Sequence, residues 1–141
     1  MIRAVLDTNT IISGLLWVGA PAQAIDAALD DRYVLLSTPV LIAELRRVLN
    51  RPKFVKQLAL IQKTADNLLE HFEHLVEMVE PAPIEPAIKD DPTDDHILAC
   101  AVGGKATHIV SGDRHLTKLQ SYEQIPIISV NEFVALLSDE M

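Results

Sequence analysis

The sequence predicts a single three-layer α/β domain, residues 1–141, with a mostly parallel β-sheet flanked by helices. Three observations predict it. Short aliphatic runs alternate with helix-like segments along the chain. The runs are continuously apolar, as strands covered on both faces are. The 141 residues are 49% apolar and only 4% aromatic, which suits one domain with an aliphatic core.

Each element has its own warrant. Ile2 to Leu6 reads as a first buried strand, and the stretch AVLDTNTIISG interrupts its apolar run at Asp7 before resuming at Ile11. Pro21 opens a helix through about Asp30, with Ala24, Ile25, Ala28 and Leu29 on one face. Tyr33 to Leu36 is a second strand. Thr38 and Pro39 form a cap and first-turn pair for a helix through Val48 that stops near Pro52. Leu58, Ile61, Ala65, Leu68, Leu69 and Phe72 recur at helical spacing and predict one long amphipathic helix. HLVEMVEP alternates apolar and acidic residues, which favours a short strand over Leu75 to Val79 rather than a continuation of that helix. Pro81 to Pro92 carries four of the eight prolines and is a connector. Thr93 or Asp94 caps a helix through about Val102, ended by Gly103 and Gly104. His108 to Val110 and Ile125 to Val130 are further strands, and a helix near Asn131 to Leu137 follows.

Composition narrows the function. Twelve Lys and Arg against twenty Asp and Glu give a formal charge of -8, the reverse of the usual nucleic-acid binder. Any such function must rest on local patches and metal ions. The first two dozen residues resemble a secretion signal in having Arg3, apolar stretches and a small-residue end, but Asp7 to Thr10 splits them. No stretch approaches the ~20 apolar residues of a membrane span. A cytoplasmic protein without membrane association is therefore expected. Cys100 is the only cysteine, which excludes an internal disulfide and a cysteine-rich zinc site; it reads as a small residue on a buried helix.

Four acids are placed by topology. In a parallel sheet the carboxyl ends of the strands share one edge, where ligands bind. Asp7 ends the first strand, and Asp113, in IVSGD, follows the strand that begins at His108. Asp95 opens the helix before that strand. A helix of ~9 residues rises roughly 13 Å and a strand of ~5 residues roughly 16 Å, so the chain descends and returns to the same edge. Glu44 lies five residues past Pro39, on the side of Leu41 and Val48, in a helix that also starts at that edge. Unit charges ~4 Å apart repel by about 4 kcal/mol at an effective dielectric near 20, so such a cluster needs neutralising. All-oxygen ligation suits Mg²⁺ or Mn²⁺, which would promote hydrolysis of a phosphodiester. Individually, each acid also has a plainer reading as a cap, a solvated face or a turn residue, and for Asp94 the helix-start reading is preferred.

With those residues placed, the chain resembles the PIN-domain family, in the branch of toxin components of toxin–antitoxin pairs. AVLDTNTIISG, STPVLIAELRRVL, DDPTDDHILACAVGGKATHIVSGD and IPIISVNEFV match its pattern in order across the chain. The resemblance implies a metal-dependent ribonuclease with metal-binding carboxylates at Asp7, Glu44, Asp95 and Asp113. It implies that Asn9 positions water or the substrate phosphate. It also implies an RNA substrate, an antitoxin partner and a homodimer, for which the LLWV and LLEHF segments are candidate surfaces. Many relatives have a further acid two residues after the fourth aspartate; here that place is His115, read as a loop residue, a phosphate contact or a weak ligand.

Arg46, Arg47, Arg51, Lys53 and Lys56 crowd beside Glu44 and could follow a nucleic-acid backbone or form an ordinary solvated face. Trp17 and Val18 suit an interface or the core better than base stacking. His71, His74 and His96 have no partner at metal spacing. Two other functions compete. A phosphatase using Asp7 as nucleophile would want an acid where Asn9 stands, and a non-catalytic binding module would keep the fold without turnover.

Overall fold

Asp7 lies where it does because of the strand before it. In the computed structural model, which describes residues 1–85 and 92–139, β1 (Arg3–Leu6) forms the middle of a mostly parallel sheet. It pairs in parallel with β2 (Val34–Ser37) on one side and β4 (His108–Val110) on the other. β3 (Glu77–Met78) extends the sheet beyond β2, and β6 (Ile125–Ile128) extends it beyond β4, both parallel. β5 (Ser121–Tyr122) closes that edge as the antiparallel partner of β6, giving the order β3-β2-β1-β4-β6-β5.

Strand periodicity splits the core in two. Successive side chains point to opposite faces, so Ala4 and Leu6 join one apolar cluster and Val5 the other; Leu35 and Leu36 divide likewise, as do Val110 and Ile109. Helices α1 (Thr8–Leu16), α2 (Ala20–Leu29), α3 (Pro39–Leu49), α5 (Ala65–Leu75) and α8 (Val130–Asp139) contribute to the first cluster. On the helix side the second draws on α6 (Pro92–Gly103), with Leu41 of α3 and Leu116 of the short α7 (Arg114–Thr117). Cys100 is fully buried there, and burial pushes its thiol up to about 12.

Most elements stand where the residue pattern puts them, including the strand after Leu75. Two differ. The single long helix is two helices, α4 (Val55–Leu60) and α5, separated where Gln62 takes a left-handed φ of 58°. The reason lies in Thr64, which caps α5 through a reciprocal pair of bonds with Asn67 and so starts a new helix. The LLEHF segment is core rather than a candidate surface, with Leu68, Leu69 and Phe72 all buried. Trp17, by contrast, is 47% exposed and stands edge-on to Phe54 with ring centroids 6.2 Å apart. Pro81 to Glu85 is irregular as expected and residues 86–91 lie outside the described residues, but Pro92, which needs no amide partner in a first helical turn, already belongs to α6, so Thr93 and Asp94 stand inside the helix and neither is its cap. No single helix among the described residues is long and apolar enough to cross a membrane.

Candidate metal centre

The site begins with a backbone bond. Leu6 is in register with Val110, and the Asp7 amide donates to the Val110 carbonyl at 3.0 Å, which continues the ladder one residue past the end of β1. That sets Asp7 beside Ser111. Asp7 is only 6% exposed, and both its oxygens are engaged: Oδ1 accepts from the Thr10 amide at 2.8 Å, capping α1, and Oδ2 accepts from the Ser111 hydroxyl. The aspartate is therefore a cap as well as a member of the site.

Ser111 is fully buried and ties two acids together. Its Oγ donates to Asp7 and accepts from the Asp113 amide at 2.9 Å. Asp113 caps α7, its Oδ1 accepting from the His115 amide at 2.8 Å. Sequence reasoning missed Ser111. Its signal was a short polar residue ending a buried strand that is parallel to the strand ending at Asp7.

Glu44 reaches the same place from α3, on the face shared with Leu41 and Val48 as the helical spacing predicts. Its carboxylate takes a two-pronged contact from Arg47, at 2.6 and 3.3 Å. That hydrogen bond, then the charge behind it, raises the already high pKa of Arg47, so the guanidinium stays charged. Arg51 lines the same space. Arg46 instead faces α5, 3.5 Å from Asp66 and 3.8 Å from Glu73.

Asp7, Glu44, Asp94 and Asp113 line one cavity of ≈ 250 Å³, together with Asn9. Asp7, Asn9 and Asp113 also border an adjoining hollow of ≈ 290 Å³. The sequence expectation named Asp95 from the start of α6, but Asp94 is the acid that lines the cavity, and it is 5% exposed. Asp95 is half-buried, and its charge acts on Tyr122 of β5, whose phenol is raised first by burial and then by neighbouring acids. Adjacent residues on a helix point about 100° apart. Residues 97 to 101 of α6 are all buried, so no apolar stripe in the sequence phases the two acids.

Four carboxylates drawn from the end of β1, α3, α6 and the turn after β4 form a hard-oxygen donor set that suits a divalent cation. The PIN-domain family profile matches residues 3–115, a span that contains every acid of this cavity. The chain belongs to the PIN-domain family. PIN domains are in general metal-dependent nucleases, and the mostly parallel sheet with its acidic carboxyl edge is consistent with that. No curated protein matches the chain.

Proposed function

We propose that this PIN domain is a ribonuclease dependent on Mg²⁺ or Mn²⁺ that hydrolyses RNA phosphodiester bonds as the toxin of a toxin–antitoxin pair. The observation that carries the reading is the convergence of four acids and two arginines on one cavity. The RNA substrate and the antitoxin partner rest on the likeness of the DTN and GD motifs to the toxin branch of the family, and the cytoplasmic setting rests on the polar residues Asp7 to Thr10 that split the leader-like apolar stretch. A homodimer draws support from the exposed Trp17 and Val18 of LLWV.

The donors for a cation are Asp7, Glu44, Asp94 and Asp113. When bound, the cation supplies Lewis acidity, which offsets phosphate charge and makes water a stronger nucleophile near neutral pH. The chain's own groups do the rest. Ser111 fixes the Asp7 carboxylate, so its orientation does not depend on the substrate. Asn9, exposed at the junction of the two hollows, offers an amide to a phosphate oxygen. Arg51 and Arg47 supply positive charge beside the acids and give an overall acidic chain a local place for a polyanion.

Asp7→Asn tests this reading cleanly, because asparagine caps a helix about as well as aspartate and the variant should fold. With Mn²⁺ and single-stranded RNA, the variant is expected to lose activity by on the order of a hundredfold while its circular dichroism is unchanged. Equal cleavage by the folded variant would end the proposal.

A further inference from the structure

We propose that His115 is a nitrogen ligand of the cation site and turns its preference away from Mg²⁺ towards first-row transition cations. The inference rests on the metal-dependent reading above. His115 Nδ1 lies 3.4 Å from Asp113 Oδ1 and 3.9 Å from Asp94 Oδ2. One ligand atom from each of these three residues fits within a span of 4.8 Å. Donors held by one ion at about 2.1–2.2 Å can be no more than roughly 4.4 Å apart, so both histidine distances already satisfy a shared ion, and the 4.8 Å span of all three would close to that limit by a side-chain shift of a few tenths of an ångström.

The ring is brought there by the backbone. The His115 amide donates to Asp113 Oδ1 at 2.8 Å, which starts α7 and sets the imidazole beside the carboxylate that caps it. The side chain is 45% exposed, so ligation requires no repacking of the core. Chemically, an imidazole is a neutral nitrogen donor. With Asp94 and Asp113 it makes a mixed nitrogen–oxygen set. Mg²⁺ favours carboxylate and water oxygens, whereas imidazole donors suit later first-row cations, whose affinity for nitrogen sites rises along the Irving–Williams order.

Pulsed electron paramagnetic resonance of the full chain loaded with MnCl₂ tests the assignment without reference to turnover. Wild type is expected to show nitrogen modulation from a directly bound imidazole, and His115→Gln to bind Mn²⁺ without it. In calorimetry, His115→Gln should weaken Co²⁺, a later first-row cation, on the order of tenfold while leaving Mg²⁺ within about twofold. His115→Asp gives the same readout in a second background, with the modulation lost and Mn²⁺ retained. Mn²⁺ bound to wild type without nitrogen modulation, or with modulation that persists in His115→Gln, overturns the role of the histidine and leaves the metal-dependent reading standing. Failure of wild type to bind Mn²⁺ overturns both.

Discussion

At Asp7 one side chain performs two tasks, and each explains the other. Capping α1 through Oδ1 holds the carboxylate still, and the Ser111 hydroxyl holds the second oxygen. Burying an acid costs free energy unless it is hydrogen-bonded or paired, and these bonds offset part of that cost. The positions of Asp7, Glu44 and Asp113 were legible because strand ends and helical spacing determine where such residues point. The choice between Asp94 and Asp95 was not, because α6 is apolar on nearly all sides and its rotation depends on contacts with the sheet. The two acids give opposite expectations. Asp94→Asn should weaken Mn²⁺ binding in calorimetry by on the order of tenfold or more, and Asp95→Asn should leave it within about threefold. The reverse order would return Asp95 to the site.

Among the elements, α1 and α2 are positioned by a close approach that composition did not reveal. A Cβ built on Gly14 would stand 2.7 Å from the Pro21 carbonyl oxygen and 2.7 Å from Ile25 Cγ1. Glycine lets the two helices meet there. Alanine is intrinsically better in a helix by about 1 kcal/mol, while overpacking costs about 1–3 kcal/mol. Because the nearest atoms include backbone, which cannot rotate away, overpacking should win. Gly14→Ala is expected to lower stability to urea by about 1–2 kcal/mol, and an unchanged or raised midpoint would contradict this. Apolar periodicity gave each helix a face but no boundary between α4 and α5, since Leu58 through Phe72 keeps its helical spacing across the break. The boundary was written in Thr64 and Asn67, a capping signal with asparagine in place of the usual glutamate or glutamine.

Across the whole molecule, the parallel sheet turns residues distant in sequence into neighbours. β1 and β4 are paired in register, so residues 7 and 111 meet although 104 positions separate them. A net charge of -8 opposes approach of a polyanion, and Arg47 of α3 with Arg51 just beyond that helix answers it only locally, beside the carboxylates. On the proposed function, the acidic cavity takes a cation first and a phosphate second. Diffraction from crystals soaked in MnCl₂, recorded where manganese scatters anomalously, tests this most directly. The account predicts an anomalous peak in the cavity among the carboxylates of Asp7, Asp94 and Asp113. A cavity without such a peak at saturating Mn²⁺, or manganese held only elsewhere on the chain, would contradict it.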